Sequence, residues 1–298
     1  MMPAFARFLA LFALVLIAAC GSETSTPGPE QGPAIWRIQR DQMGDQMDGW
    51  LFGTIHVLPK GVGWQTRALD DAMKKADRLV LEAADLQNPQ KTLALFERMG
   101  RSPGLPPLEA RVPPADREAL ARIVADGGAS TQALTGYESW AAAMLLSAAT
   151  QQALNVSQDH GVEPALIAAF RGAGKPIGGL ETVERQFSAF DTLPEAVQRR
   201  LLAQTVREAK DMRALYQYIL KAWLGGDMAA IAKADQIGET PDPMVEEAVL
   251  IARNRDWAKA IEPMTGRPFI AVGVGHLTGR DNLIELLKAR GFAVTRVQ

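Results

Sequence analysis

An α/β fold is predicted for this chain: a mixed β-sheet with an antiparallel N-terminal hairpin, flanked by helices and covered by a large helical insertion. Three observations predict it. Short apolar runs of strand character occur near both ends, at Ile35–Arg40, Trp50–His56, Phe269–Val272 and Phe292–Val297. Helix-period segments alternate with strand-like runs that end in groups able to bind protons or metal, as at Leu79–Leu81 followed by Glu82. Between the two strand-forming ends the pattern is mostly helical, which suits a lobe lying over the sheet.

The elements follow in order. Arg7 precedes an unbroken apolar stretch, Phe8 to Ala19, which reads as an export signal and is too short to span a bilayer. Ile17-Ala18-Ala19-Cys20 resembles a bacterial lipobox, in which the cysteine is acylated and becomes the first residue of the mature protein; a plain secretory signal followed by a free Cys is the alternative. Residues 1–19 are therefore read as a lipoprotein signal peptide, 20–33 as a Gly, Ser, Thr and Pro rich tether, and 34–298 as the folded domain. Cys20 is the single cysteine, so lipidation there leaves the domain without disulfide, thiolate ligand or thiol nucleophile. Gly21 and Ser22 follow it where an inner-membrane retention aspartate would stand. The expected location is the bacterial cell envelope, as an outer-membrane lipoprotein facing the periplasm.

Ile35–Arg40 and Trp50–His56 read as a hairpin across Asp41–Gly49. Ala68, Leu69, Ala72, Met73 and Ala76 give a helix over 65–78, and Leu79–Leu81 a buried strand ending at Glu82. Helices are predicted over 113–126, 130–155 and 162–173, the last stopped by Gly174. Pro176–Leu180 is a strand ending at Glu181, although Glu181 also suits a helix cap. Residues 193–224 and 243–261 are again helical, completing an insertion at about 89–262. Phe269–Val272, a helix over 281–290 stopped by Gly291, and Phe292–Val297 close the chain.

At 47% hydrophobic and 22% charged with a net charge of -2, the chain can bury one good core and has no basic field to hold nucleic acid. It lacks a Walker loop, a Gly-x-Ser-x-Gly elbow and a His-Glu-x-x-His helix. Gly273-Val274-Gly275-His276-Leu277-Thr278-Gly279 imitates a dinucleotide fingerprint, but its glycine spacing is one residue too long and no second βαβ unit follows.

The chemistry concentrates in two matched motifs. Gly53-Thr54-Ile55-His56 and Gly273-Val274-Gly275-His276 place two of the chain's three histidines in one local frame after a strand. Imidazole is the commonest metal ligand and serves proton transfer near neutral pH. Two imidazoles and one carboxylate make a first shell for a catalytic divalent ion with positions left open. His56, His276 and Glu82 are the candidate metal ligands, and Glu181 is a further acid at a strand end. A structural salt bridge is the alternative reading of Glu82, and His160 reads as a surface turn.

Leu51-Phe52-Gly53-Thr54-Ile55-His56, Leu81-Glu82, Gly179-Leu180-Glu181-Thr182 with Gln186, Arg253-Asn254 with Trp257, and Val272-Gly273-Val274-Gly275-His276-Leu277 with Gly279 together resemble the TraB/GumN family, which includes the Tiki proteases. The resemblance covers about residues 35–298. It implies the fold shared by erythromycin-esterase-like and ChaN-like proteins and, as in Tiki relatives, metal-dependent peptide cleavage with manganese or cobalt. It places the active site on His56, His276 and Glu82, and the family's Arg-Asn pair on Arg253 and Asn254.

The function expected is that of a lipid-anchored hydrolase, in its narrower form a peptidase, using a divalent ion (Mn, Co or Zn). His56 and His276 bind the ion. Glu82 completes the shell or acts as general base on a water beside it, and Arg253 or Asn254 stabilises the developing oxyanion. Glu181 stands as an additional catalytic candidate. The partners expected are the membrane, through the anchor, and a peptide or small-molecule substrate. The alternative is a ChaN-like haem or iron carrier, or a non-catalytic envelope binding protein.

Overall fold

The computed structural model describes residues 31–42, 45–234 and 239–298. The signal segment 1–19, Cys20 and the tether up to residue 30 lie outside the described residues. The strands are β1 (Ile35–Gln42), β2 (Asp45–Thr54), β3 (Arg78–Ala83), β4 (Ile177–Glu181), β5 (Pro268–Gly273) and β6 (Ala293–Arg296). The helices are α1 (Arg67–Lys75), α2 (Pro89–Met99), α3 (Arg117–Asp126), α4 (Thr131–Leu134), α5 (Ser139–Ala153), α6 (Val162–Gly172), α7 (Val183–Asp191), α8 (Glu195–Glu208), α9 (Met212–Leu224), α10 (Met228–Ala232), α11 (Pro243–Glu246), α12 (Ala252–Ile261) and α13 (Leu283–Ala289). A π turn, Glu247–Ile251, joins α11 to α12.

The sheet is mixed, as predicted, with order β4-β3-β5-β2-β1-β6. β4, β3, β5 and β2 run parallel, and β1 lies antiparallel to both β2 and β6. β5 is buried along its whole length, and the two-residue period of a strand sends its side chains to two different cores. Phe269 and Ala271 join Phe52, Leu79, Leu81, Phe170 and Trp223 on one face. Ile270 and Val272 join Leu51, Val80, Trp257, Ile261 and Leu287 on the other. The sheet is thus covered on both sides, with α6 and α9 against one face and α12 and α13 against the other. A third cluster, around Phe96, Trp140, Phe187 and Leu202, forms the interior of the helical lobe. Among the described residues no helix is long and apolar enough to cross a membrane.

The elements differ from the sequence reading in several places, and the helix predicted over 193–224 is two, α8 and α9. The hairpin is longer than its apolar residues suggest, because Asp41–Gly49 is largely strand: Arg37 on β1 pairs with Asp48 across the ladder at 2.6 Å. A polar ladder of this kind carries no hydrophobic alternation to read. The helix predicted over 130–155 is two helices, since the buried Arg111 takes the carbonyl oxygens of Thr135 and Tyr137 that would otherwise continue the first. Two helices of the predicted insertion, α2 and α7, lie outside the individual helical ranges read from the sequence, each started by a side-chain cap, Asn88 and Thr182.

Candidate functional site

The four parallel strands deliver their carboxyl ends to one rim of the sheet. β2 leads into His56, β3 carries Glu82, β4 ends on Glu181 and β5 leads into His276. Crevices at such ends, where crossovers diverge, are the usual ligand sites of open α/β sheets. Here the register makes the two glycine-histidine motifs neighbours, with Gly53 opposite Val272 and Thr54 opposite Gly273.

The glycines explain why the motifs begin as they do. A Cβ on Gly53 would sit 3.0 Å from Val274 Cγ2 and 3.1 Å from Leu277 Cδ1, both in the second motif. A Cβ on Gly273 would sit 3.1 Å from Glu82 Oε1 and 3.2 Å from His56 Nε2. Each glycine therefore makes room for the other motif, and Gly273 forms the floor between the carboxylate of Glu82 and the imidazole of His56.

Glu82 is the hub. Its Oε1 accepts from the Gly273 N–H at 2.6 Å, and its Oε2 accepts from Arg253 Nη2 at 2.9 Å and from Gln186 Nε2 at 3.1 Å. Arg253, on α12, reaches across to bind Glu181 Oε1 through Nε at 2.9 Å and Nη2 at 2.6 Å. Its Nη1 donates to the carbonyl of Val249, a residue of the π turn, and lies 3.4 Å from His276 Nε2. The guanidinium also stacks over Trp257 at 4.6 Å, and the His276 ring lies 4.3 Å from the same indole. Arg253, Asn254 and His276 are buried, and Glu82 and Glu181 nearly so. Glu181 ends its strand, while the cap of α7 is Thr182, whose hydroxyl accepts from the Arg185 N–H.

Both imidazoles are tied down at Nδ1. His276 Nδ1 lies 2.7 Å from Asn254 Oδ1, and the amide nitrogen of Asn254 donates to the Asp281 carbonyl, so the histidine supplies the proton between them. His56 Nδ1 lies 2.7 Å from Glu163 Oε1, a carboxylate in the first turn of α6 that also accepts from Thr54 Oγ1. With Nδ1 committed, Nε2 is the nitrogen each ring turns to the site, that of His276 already 3.4 Å from Arg253 Nη1. His276 Nε2 stands 3.8 Å from Glu82 Oε1, and His56 Nε2 borders the same Gly273 floor.

Burial and charge set the proton affinities. The negative charge of Glu163 raises His56 to about 9 against the effect of burial, though its ring is 57% exposed and water screens part of the attraction. Burial drops His276 to about 3, outweighing the pull of Glu82. Burial opposes ionisation of Glu82, yet His276, His56, Arg253 and the Gly273 N–H hold it at about 2. Because His276 is uncharged near neutrality, the cations acting on Glu82 there are His56 and Arg253. Burial likewise opposes ionisation of Glu163, and His56 and Thr54 pull it below the usual carboxylate range.

The donor set has the chemistry of a divalent-cation site: two imidazole Nε2 atoms and an ionised carboxylate oxygen. Glu82 and Glu181 share the one guanidinium of Arg253, and Glu163 faces the His56 imidazole, so the carboxylates outnumber the cations around them. The 3.8 Å between His276 Nε2 and Glu82 Oε1 suits two bonds of about 2.1 Å to one ion. As placed, no group of three His, Cys, Asp or Glu side chains among the described residues surrounds an ion-sized point. His160 stands apart, exposed in the turn Gln158–His160.

Glu163 is the site residue the sequence reading missed. Its local context, Gly-Val-Glu-Pro, gives only an acid in a helix's first turn, and the contact to His56 is long-range. Asn254 was expected at the substrate, but both ends of its amide are engaged, one by His276 and one by Asp281.

Two relatives, the uncharacterized protein YbaP of Escherichia coli (strain K12) and that of Shigella flexneri, are each 27% identical over 240 residues, covering 80% of this chain and 87% of the relative. No solved structure matches the chain. The TraB/PrgY/gumN family matches residues 34–296, from the residue before β1 to the end of β6, and the chain belongs to that family.

Proposed function

We propose that this chain is a lipid-anchored hydrolase of the bacterial cell envelope that works with a divalent ion, its substrate a peptide or another small molecule. The observation that carries the reading is the convergence of two Nδ1-anchored imidazoles on Glu82 above Gly273, in a pocket with surplus negative charge. His56, His276 and Glu82 would hold the ion (Mn, Co or Zn), which when bound supplies Lewis acidity toward a substrate oxygen.

The chain's own groups divide the remaining work. As the alternative to completing the shell, Glu82, ionised and held by Gly273, Arg253 and Gln186, accepts the proton of an incoming water. Arg253 balances Glu82 and Glu181, and its Nη1, bound only loosely at 3.4 Å to His276 Nε2, has an N–H to offer a developing oxyanion. Glu181 keeps the guanidinium in that pose. Asn254 acts through His276. Hydrolysis is favoured over haem carriage because charged groups line the pocket, whereas a haem needs an apolar face. Cys20 would bear the lipid, and the tether would hold the domain off the outer membrane, facing the periplasm.

The test is elemental analysis of the purified protein with thermal denaturation in added manganese, cobalt and zinc. Retained metal that is lost in His56→Ala and in His276→Ala is the expected result. A metal-free protein whose stability ignores all three ions would sink the reading.

A further inference from the structure

Glu163 is held in place before His56 uses it. Gly161, which starts α6, lies so close to the backbone leaving β2 that an added Cβ would come within 2.1 Å of the His56 carbonyl oxygen. The next residue, Val162, donates its N–H to the Ile55 carbonyl at 3.3 Å, and Thr54 Oγ1 donates to Glu163 Oε1 at 2.5 Å. The carboxylate is thus indexed to Thr54, Ile55 and His56 one after another. Its side chain is 22% exposed, so desolvation taxes its charge, while its place in the first turn of α6 favours an acid.

His56 needs such a partner more than His276 does. The His276 ring is enclosed by Trp257 and Asn254, whereas the His56 ring is 57% exposed and its only hydrogen-bonded side chain among the described residues is Glu163. Without that bond the ring is free to rotate about its side-chain torsions, and either nitrogen can carry the proton.

Building on the metal-hydrolase reading, we propose that Glu163 is a positioning residue of the site: it fixes the His56 ring with Nδ1–H on its own carboxylate and Nε2 directed over Gly273 toward Glu82. Asn254 does the same for His276 with a neutral acceptor. The two halves of the site are therefore built alike but not equally: the exposed imidazole is backed by a charge, and the buried one by an amide. A carboxylate behind an imidazole raises its basicity as a ligand, and removing such a partner commonly weakens metal binding about 10- to 100-fold.

The chain's three histidines make this directly observable. With ¹⁵N-histidine labelling of the whole protein, two exchange-protected Nδ1–H signals are expected, one from His56 and one from His276, and none from the exposed His160. Glu163→Ala should abolish the first and Asn254→Ala the second. Titration with cobalt should give affinity about 10- to 100-fold lower for Glu163→Ala. Glu163→Gln, whose amide oxygen can still accept, should keep the protected signal yet bind cobalt more weakly than wild type, and it serves as the readout if the alanine variant does not fold. Protected signals and cobalt affinity both unchanged in Glu163→Ala, or in Glu163→Gln an Nδ1–H signal lost with cobalt affinity intact, would overturn the proposal. A wild-type protein that binds no cobalt would defeat the metal reading, and the His56 signal alone would then decide the role of Glu163.

Discussion

His56 and His276 hold their protons on opposite sides of the ordinary imidazole value, and this gives the metal-free protein a defined stability profile. For His56, at about 9 when folded and 6.5 ordinarily, the folded state keeps its proton longer; the stability it contributes is complete below pH 6.5 and is lost as pH rises toward 9. For His276, at about 3 when folded, the unfolded chain protonates first, so its contribution is complete above pH 6.5 and is lost as pH falls toward 3. Glu82, at about 2 against 4.5, adds a second acid-side loss below pH 4.5. Denaturant midpoints of metal-free protein should therefore peak near pH 6.5, with the acid limb steeper because water screens the exposed His56. A midpoint at pH 3 equal to that at pH 6.5 would contradict this. At this scale the sequence was readable where a group follows an apolar strand run, as for His56, Glu82 and His276. It was silent on Glu163, whose partner lies on a different element and leaves no trace in local spacing.

Among the elements, β5 was the most legible, since its short run of four apolar residues, bounded by Pro268 and Gly273, suits a strand buried on both faces. The β1–β2 ladder and the break between α4 and α5 were not, because a cross-strand ion pair and a buried arginine on carbonyl oxygens set them. The junction of β2 and β5 yields a test of the glycine exchange. Gly273→Ala puts a methyl 3.1 Å from Glu82 Oε1 and 3.2 Å from His56 Nε2, so both side chains must retreat by a few tenths of an ångström. A cost of about 1–3 kcal/mol is expected. The His56 imidazole signals should move while those of His160 stay in place, as read by the same ¹⁵N spectra beside a thermal melt; unmoved His56 signals would show that the floor is not shared.

In the molecule as a whole, the helical lobe is joined to the sheet at the site itself. Its interior, centred on Trp140 against Phe96, Phe187 and Phe190, also takes in Ala83 and Val183, which lie beside Glu82 and Glu181 in the chain. Trp140→Ala should cost about 3–5 kcal/mol. Calorimetry should still record one unfolding transition, because the lobe cannot loosen without releasing the ends of β3 and β4; a lobe melting ahead of the sheet would refute this coupling. The strand order has one more consequence, which concerns time. β5, the innermost partner of both β2 and β3, is synthesised only after the whole lobe. In a chain emerging from the ribosome, the lane between β2 and β3 lacks its strand until residues 268–273 arrive. Closing that lane is a late, long-range event that brings His276 to His56 at the same stroke. The cluster around Glu82 is thus assembled only after the whole helical lobe has been made.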